Sequence, residues 1–384
     1  MKILHTIEGM GAKFGGIATC TYDLVKFLNL LNISVDIISP SLKNNSDRLL
    51  GDGEKWNIQY KNDGIGPVNY SRNFVKWLDA NNYDIYHANG LWQFIVHETC
   101  IHARQKGKPY LITPHGMLYP EALARSSWKK RLLEKLWFGR DIREASCIHA
   151  TCDKEMENLR LLGYKGPIAV IGNPVAVPDY TEGLFSSRRK KASPLWGVAF
   201  LGRLHPIKKV ENLLYGVSLS SHENVNVYIM GKGDDDYEEF LRNEAKRLSI
   251  SDRTHFLGFI NGKDKFKRLA TMDALFVPSD MENFGMIIPE ALIVGTPVMA
   301  SLGTPWEALN SERCGWWRDN SPESIAAVID ELYSLSDEER HAMGLRGREY
   351  ILQNFSANKV AQKMNNLYLW LNKEIDKPNF VYEY

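Results

Sequence analysis

Residues 1–39 read MKILHTIEGMGAKFGGIATCTYDLVKFLNLLNISVDIIS and contain a strand, a loop, a helix and a second strand in succession. The apolar run Lys2 to Ile7 predicts a buried strand, and Gly9 to Gly16 predicts a glycine-rich loop after it. Ile17 to Leu31 has the apolar spacing of a helix, and the β-branched run Ser34 to Ser39 predicts the next strand. Units of this kind build parallel sheets covered by helices, so the predicted fold class is α/β.

The same alternation continues along the chain in two series. Between Gly172 and Pro194 the composition shifts to proline, glycine and serine, with a basic run at Arg188 to Lys191, which predicts a linker. A chain of 384 residues exceeds one ordinary hydrophobic core, so we expect two Rossmann-like domains, residues 1–175 and 190–384. A last helix is predicted at Ala357 to Ile375. The remaining predicted strands are Asp84–Ala88, Tyr110–Thr113, Cys147–Ala150, Ala169–Ile171, Trp196–Leu201, Val225–Met230, Thr254–Leu257, Ala274–Pro278 and Pro297–Ala300.

Composition excludes several classes of protein. Forty-seven basic and 46 acidic residues leave a net charge near +1, which argues against a nucleic-acid partner. The five cysteines are odd in number and lack zinc spacing, which favours a reduced, cytoplasmic setting. The apolar run before Glu8 is too short for an export signal, and residues 286–300 fall short of the roughly 20 that span a bilayer.

Ligands of open α/β sheets bind beyond the carboxyl ends of the strands, so the loops that follow strands are the candidate sites. In the first, Gly9 to Gly16, consecutive glycines free backbone N–H groups to approach an anion or a sugar. The spacing is not a dinucleotide fingerprint, and Asp36 lies inside the next strand rather than at its end. A glycine-rich turn without a ligand is the alternative.

Two further loops carry charge. In Gly202 to Lys208, Arg203 and Lys208 stand five residues apart, and such cations can clamp a diphosphate and stabilise a leaving pyrophosphate. The segment Glu282 to Glu290 leads into a helix, with one carboxylate in the loop and one in the first helical turn. A solvated basic turn and simple helix capping are the respective alternatives.

Two other polar features have competing interpretations. His115 follows a strand of the first series and is expected to point into the cleft between the domains, whereas a core or capping histidine is the alternative. Asp234 to Asp236 has the composition of a site for Mg²⁺ or Mn²⁺. Because these acids follow a glycine turn and precede a helix, N-capping and the helix dipole explain them, and we predict no metal site.

The ordered set of loops resembles glycosyltransferase family 4, whose members are retaining enzymes of the GT-B fold, over nearly the whole chain. The resemblance implies two Rossmann-like domains facing across a cleft, with the C-terminal helix crossing back to the N-domain. In the family pattern Arg203 and Lys208 match the phosphate clamp. Glu282 and Glu290 match the paired carboxylates, and His115 matches the histidine that contacts the transferred sugar.

Further segments match the same family. Gly15 and Gly16 match its N-terminal glycine pair, whereas Lys209 stands where relatives usually have glycine. Thr304 to Glu307 and Cys314 to Trp317 look like segments of bacterial transferases that build O-antigens, capsules and exopolysaccharides. The other residues that the resemblance assigns to donor binding are Gly231, Gly233, Phe256, Leu257, Asn283, Phe284, Gly285 and Met286.

The resemblance implies transfer of a sugar from a nucleotide diphosphate sugar to a saccharide acceptor, expected to be lipid-linked, in bacterial surface polysaccharide synthesis. Residues 190–384 would bind the donor and residues 1–175 the acceptor, and no metal or other cofactor would be required. Arg203 and Lys208 would stabilise the departing phosphate, Glu282 would hold the donor sugar, and Glu290 would hold the ribose. A UDP-sugar is favoured as donor, and GDP-mannose is nearly as compatible.

Residues 125–140 interleave basic with apolar side chains, among them Lys129, Lys130 and Arg131 beside Trp128. Such a helix could lie on an anionic bilayer, which would make the protein peripheral at the inner face of the cytoplasmic membrane. A helix that packs its tryptophan and leucine face on its own domain is the alternative.

Three other functions stay open at this point. A nucleotide-sugar epimerase of similar fold would convert the donor without an acceptor, and product analysis separates it from a transferase. A catalytically silent sugar-nucleotide binding protein would bind tightly without turnover. An oxidoreductase, the most remote, would change the absorbance of a nicotinamide cofactor.

Overall fold

The computed structural model describes residues 1–11, 14–42, 49–66, 69–124, 138–188 and 197–384. Internal contacts divide it into two compact units. The first consists of Met1–Ala176 together with Ala357–Tyr384, and the second is Val177–Ser356. Relative to the predicted domains 1–175 and 190–384, these contacts place residues 177–188 in the second unit and return residues 357–384 to the first.

Eight strands form the sheet of the first unit: β1 (Lys2–Ile7), β2 (Ser34–Pro40), β3 (Asn57–Tyr60), β4 (Ile85–Asn89), β5 (Tyr110–Thr113), β6 (Cys147–Ala150), β7 (Ile168–Val170) and β14 (Val381–Tyr382). Their order across the sheet is β14-β7-β6-β5-β4-β1-β2-β3. All neighbours pair in parallel except β14, which is antiparallel to β7. The strand order reverses between β1 and β4, which makes their carboxyl ends the switch point of this sheet.

Helices cover this sheet and complete its core. The C-terminal helix packs against the first helix of the chain, and both contribute to one hydrophobic cluster with Ile3 and Ile37 of the sheet. The predicted return of the C-terminal helix to the first unit is therefore confirmed. The described helices are α1 (Gly15–Leu30), α2 (Arg72–Ala80), α3 (Phe94–Gln105), α4 (Pro120–Ala124), α5 (Gly139–Arg143), α6 (Asp153–Leu161) and α15 (Ala357–Leu371).

The second unit has a parallel sheet of six strands: β8 (Gly197–Leu201), β9 (Asn226–Met230), β10 (Thr254–Gly258), β11 (Ala274–Val277), β12 (Val298–Ser301) and β13 (Gly315–Arg318). Their order is β10-β9-β8-β11-β12-β13, so this sheet reverses between β8 and β11. Its described helices are α7 (Tyr180–Arg188), α8 (Val210–Leu219), α9 (Asp235–Arg247), α10 (Gly262–Thr271), α11 (Ile287–Ile293), α12 (Ala308–Ser311), α13 (Pro322–Ser334) and α14 (Asp337–Asn354).

The predicted α/β architecture of two mostly parallel sheets is confirmed. Strands β3, β13 and β14 were not among the predicted strands. They lie at sheet edges and span two to four residues each, so they carry too little periodic pattern to predict a strand. Residues 125–137, the main part of the expected membrane-surface helix, lie outside the described residues. None of the helices in the described ranges has the length and apolar character that a membrane span requires.

A buried hydrogen-bond network ties α15 to the sheet of the first unit. The hydroxyl of Tyr368 on α15 lies 2.7 Å from His5 Nε2 and 2.8 Å from His87 Nδ1. His87 Nε2 lies 2.6 Å from the Thr113 hydroxyl, which in turn lies 2.8 Å from His149 Nδ1. Each of these side chains is at most 4 % exposed, so water does not compete for these hydrogen bonds. The network therefore holds α15 on the strands.

Removal of the Tyr368 hydroxyl is expected to destabilise the first unit. The Tyr368→Phe substitution leaves two buried imidazoles short of a partner, and we expect the free energy of unfolding to fall by about 1–3 kcal/mol. Denaturant titration measures the change. Tyr384→Phe, at a side chain 81 % exposed, is the matched control. Equal stability of the Tyr368→Phe variant and the unsubstituted protein would contradict a structural role for the network.

The same histidines make stability depend on pH. Burial, reinforced by neighbouring histidines, lowers the pKa of His5 to about 3, and burial lowers the pKa of His149 to about 4. The unfolded chain takes up these protons near pH 6.5, whereas the folded chain resists them, so stability falls as pH drops below about 6.5. Each such histidine contributes a slope of up to about 1.4 kcal/mol per pH unit. Unfolding measured between pH 7 and pH 5 should show this slope, reduced in His149→Gln. An identical slope in that variant would rule this origin out.

Candidate functional site

The predicted clamp and carboxylate loops meet at the switch point of the second unit. Arg203 and Lys208 leave the carboxyl end of β8, and Glu282 leaves the carboxyl end of the adjacent β11. The two loops are joined directly, because the N–H of Asp280 donates to the carbonyl of Ile207 at 2.8 Å. The fold therefore brings together residues that stand more than 70 positions apart in the sequence.

Backbone contacts pack the loop after β8 against the loop after β9. The N–H of Leu204 donates to the carbonyl of Lys232 at 3.0 Å, and the N–H of Gly231 donates to the carbonyl of Gly258 at 2.8 Å. A Cβ at Gly231 would lie 1.8 Å from the Gly202 oxygen, and one at Gly233 would lie 1.9 Å from the Leu204 oxygen. Glycine is thus required here for close approach of the backbones.

Lys208 forms an ion pair with Glu282. The same carboxylate oxygen accepts a hydrogen bond of 2.9 Å from the Ser279 hydroxyl. The Lys208 and Glu282 side chains are 19 % and 14 % exposed, so the pair is largely shielded from solvent screening. The predicted phosphate-binding cation and the predicted sugar-binding acid therefore neutralise each other in this structure.

Arg203 and Lys209, the other two cations of the loop, differ from Lys208 in their contacts. Arg203 is exposed and forms no ion pair with any residue in the described ranges, which leaves its guanidinium open to an anion. Lys209 adopts a left-handed conformation with φ of 49°, and its ammonium lies 3.6 Å from the Asp280 carboxylate. This conformation costs a non-glycine residue about 1–2 kcal/mol, whereas glycine adopts it without that cost.

Glu290 lies in the first turn of α11, as predicted, and is paired with a cation that sequence reasoning missed. Lys265 on α10 places its ammonium 2.6 Å from Glu290 Oε1. Both side chains are mostly buried, at 20 % and 15 % exposed. The pairing depends on the contact between α10 and α11, so no local spacing in the sequence signals it.

The segment between the two carboxylates combines a buried anchor with available backbone donors. Phe284 is buried and packs edge-on against Trp306, whose indole N–H donates to the Phe284 carbonyl at 2.5 Å. The N–H groups of Phe284, Gly285 and Met286 donate to no residue of the described chain. Asn283, the other predicted residue of this segment, precedes them. The anchored loop thus presents three N–H groups to a ligand.

The other predicted donor residues of this unit lie on β10. Phe256 and Leu257 are half-buried near the end of the strand, directly before Gly258. The Arg242 guanidinium lies 4.0 Å from the centre of the Phe256 ring, so this ring packs against α9. Leu257 is the neighbour on the other face of the strand, as the alternation of side chains along a strand requires.

The acids Asp234 to Asp236 lie at the start of α9. Asp234 occupies the N-cap position, but its side chain accepts no capping hydrogen bond, so the predicted N-capping is wrong. Asp235 and Asp236 lie in the first turn, where the helix dipole favours negative charge. Across the described ranges, no cluster of three or more His, Cys, Asp or Glu side chains has the arrangement to hold a metal ion.

The remaining predicted residues lie in the first unit. Gly15 opens α1 with φ of 65°, and a Cβ at Gly15 or Gly16 would meet no atom within 4 Å. His115 follows β5, and burial, with His149 adding to it, lowers its pKa to about 3. The imidazole is therefore neutral at physiological pH and can exchange hydrogen bonds with an uncharged polar group.

The glycine-rich loop that the sequence offered as a candidate site lines a pocket at the switch point of the first unit, and sequence reasoning missed Glu8 beside it. A cavity of about 100 Å³ is lined by residues at and beyond the ends of β1 and β4, among them Glu8, Phe14 and Asn89. A second cavity of about 220 Å³ shares Glu8 and Phe14 and adds Asn62. Although Glu8 reaches solvent, the surrounding chain desolvates it and raises its pKa. An acid directly after the first strand was the signal available in the sequence.

Two family models match the chain. "Glycosyl transferase 4-like domain" matches residues 15–174, and "Glycosyl transferases group 1" matches residues 186–350. An uncharacterised glycosyltransferase of Methanocaldococcus jannaschii is 31 % identical over 182 residues, 44 % of this chain and 44 % of that protein. The D-inositol 3-phosphate glycosyltransferase of Corynebacterium efficiens is 30 % identical over 219 residues, 52 % and 50 % of the two chains. The chain thus spans about half the length of these curated relatives.

Solved structures share the fold over the whole chain. HepE from Anabaena, in complex with UDP and glucose, superposes with a TM-score of 0.72 at 18 % identity and covers 96 % of this chain and 99 % of its own. Sucrose-phosphate synthase from Thermosynechococcus elongatus gives a TM-score of 0.76 at 19 % identity, with 98 % and 100 % covered. At such identities the likeness establishes the GT-B fold alone.

Substitution of Gly233 is expected to disturb the loops of the second unit. In Gly233→Ala the new methyl would meet the Leu204 carbonyl. Overpacking typically lowers the free energy of unfolding by about 1–3 kcal/mol, and we expect a decrease toward the upper end of that range. Thermal unfolding measures the effect. Gly183→Ala, at a helical glycine whose added Cβ would meet nothing within 4 Å, is the matched control. Equal melting temperatures for the two variants would contradict the close approach.

Proposed function

The chain belongs to the family 4 type of glycosyltransferases, and we propose that it transfers a sugar from a nucleotide diphosphate sugar to a saccharide acceptor with retention of configuration. The observation that carries the proposal is the ion pair between Lys208 and Glu282 at the switch point of the second unit, with Arg203 on the same loop as Lys208. This is where an open α/β sheet binds ligands. Cations, a carboxylate and available N–H groups there suit a ligand with both phosphates and sugar hydroxyls.

The charges of the site support a mechanism for departure of the diphosphate. Arg203 lacks an ion-pair partner in the described chain, and Lys208 would exchange Glu282 for the phosphate when the donor binds. Both cations would then stabilise the charge that develops as the sugar–phosphate bond breaks. Glu282, released from Lys208, would accept hydrogen bonds from hydroxyls of the donor sugar. In this scheme the protein's own cations supply the positive charge, and no metal is required.

The two ends of the donor would have separate partners. Glu290, oriented by Lys265, would accept from the ribose hydroxyls, and the N–H groups of residues 284–286 would donate to the phosphate and sugar oxygens. His115, neutral at physiological pH, would hydrogen-bond a hydroxyl of the transferred sugar. A UDP-sugar is the favoured donor, which the UDP-bound structures of HepE support. GDP-mannose is the second candidate.

The acceptor is proposed to be a saccharide, lipid-linked and built into a bacterial surface polysaccharide at the inner face of the cytoplasmic membrane. Glu8, Asn62 and Phe14 line cavities of the first unit and supply the acidic, amide and aromatic groups that bind sugars. The O-antigen biosynthesis glycosyltransferase WclY of Escherichia coli, 24 % identical over 149 residues, supports the pathway. Peripheral membrane contact through residues 125–140 belongs to the same proposal.

Donor binding tests the proposal directly. A panel of nucleotide sugars is added in the presence of EDTA, and the thermal shift of the protein is measured. We expect one donor class to bind, and we expect Lys208→Ala and Glu290→Ala to weaken its binding about 10- to 100-fold, because each removes a charged hydrogen-bond partner. Lys267→Ala and Glu239→Ala, at exposed positions of the same unit, are the matched controls.

Three results would contradict the proposal in different ways. A thermal shift with NAD, and none with any sugar nucleotide, would contradict the assignment as a transferase. Equal losses of donor binding in the control variants would show that the donor does not bind at Lys208 and Glu290. Conversion of the donor to an epimer without an acceptor would favour an epimerase, whereas donor binding without turnover over a panel of acceptors would favour a silent binding protein.

A further inference from the structure

The turn that carries His115 is strained. His115 and Gly116 have consecutive positive φ angles, 52° and 76°. A left-handed conformation costs a non-glycine residue about 1–2 kcal/mol, so surrounding contacts have to hold it. Strain of this kind is typical of functional sites, where the structure around a residue imposes the conformation.

The imidazole of this turn also has unused hydrogen-bonding capacity. His115 Nε2 is shielded from solvent and has no hydrogen-bond partner among the residues that the structure describes. An unsatisfied buried polar atom costs about 1–3 kcal/mol. The turn therefore combines a strained backbone with a ring nitrogen that is unpaired among the described residues. Both features bear on how the His115 side chain is oriented.

The carboxylate of Glu155 contacts this turn directly. It lies on α6, is 2 % exposed, and accepts a hydrogen bond of 2.6 Å from the N–H of Gly116 at Oε1. Its second oxygen accepts from the N–H of Thr151 at 2.7 Å and from the Thr151 hydroxyl at 2.9 Å. A buried carboxylate is costly unless such donors satisfy it, and here one donor is the strained turn itself.

A second contact from the same helix touches the loop at a different point. The Asn158 side-chain amide donates to the Leu118 carbonyl at 2.7 Å. This contact ties α6 to the loop two residues beyond Gly116, where the backbone is not left-handed. The Asn158 contact attaches the loop to α6 outside the turn, whereas the Glu155 contact acts on the turn itself. Substitutions at these two residues therefore distinguish attachment of the loop from control of the turn.

We propose that Glu155 is a positioning residue for His115: its carboxylate, bonded to the Gly116 N–H, holds the left-handed turn that aims the imidazole. The role of His115 toward the donor sugar rests on the proposed function, but the positioning by Glu155 does not. Glu155→Gln replaces one of the two acceptor oxygens by an N–H donor, so the side chain can no longer accept from both Gly116 and the Thr151 N–H, and the anchor of the turn is weakened while side-chain size is kept.

Histidine NMR tests the positioning without any substrate. The protein is labelled with ¹⁵N-histidine, and the His115 signals are assigned by their loss in His115→Asn. We expect Glu155→Gln to move these signals. Asn158→Ala is expected to lower the melting temperature and leave them in place, and the exposed Glu157→Gln, on the same helix, is expected to change neither. If Glu155→Gln does not fold, Thr151→Val removes one of the three donors to Glu155 and should move the signals by a smaller amount.

Kinetics extends the test to the proposed reaction. With UDP-glucose as probe, we expect hydrolysis by Glu155→Gln to lose about 10- to 100-fold in kcat, as for a misplaced catalytic group, with KM nearly unchanged. The double variant Glu155→Gln/His115→Asn should lose no more than His115→Asn alone, because one residue acts through the other.

The outcomes separate the two proposals. Unmoved His115 signals in Glu155→Gln, or equal movement in Asn158→Ala, would overturn the positioning role. Additive losses in the double variant would overturn it as well. Absence of UDP-glucose binding and turnover in the unsubstituted protein would count against the proposed donor, and the NMR comparison would still decide the role of Glu155.

Discussion

The parallel direction of the strands is the constraint on which both units depend. Parallel strands end at one edge of a sheet, so every loop that leaves a carboxyl end shares that edge with its neighbours. In the second unit the order reverses between β8 and β11, and an open α/β sheet binds its ligands at such a reversal. In the first unit the same reversal lies between β1 and β4, where the cavity at Glu8 opens. Site geometry therefore follows from topology before any side chain is considered.

Charge in the second unit is arranged in matched pairs. Lys208 with Glu282 and Lys265 with Glu290 are both largely shielded from solvent, and each joins two separate segments of the unit. Within each pair, the opposite charge lowers the cost of shielding a charged side chain from water. An anion that entered such a site would replace the carboxylate partner of each lysine rather than meet an unpaired charge. The exposed Arg203 differs, since it has no pair in the described chain to exchange.

The first unit combines a buried hydrogen-bond network with a strained turn. Tyr368, His5 and His87 satisfy one another and join the C-terminal helix to the sheet. His115 lies outside that network, in a strained turn with an unpaired ring nitrogen among the described residues. Stability gained in the core permits strain to be kept at a site.

The sequence by itself determined the α/β class, the two series of strands and most strand positions, because apolar periodicity is a local property of the chain. Lys2–Ile7 and Tyr110–Thr113 were predicted with the observed bounds. Residue types in loops after strands also identified Arg203, Lys208, Glu282 and Glu290 as candidates. Only the tertiary structure decided that Lys265 pairs with Glu290 and that Glu155 anchors Gly116. These contacts join residues 25 and 39 positions apart, and no pattern along the chain records which distant segments the packing of helices on a sheet will bring together.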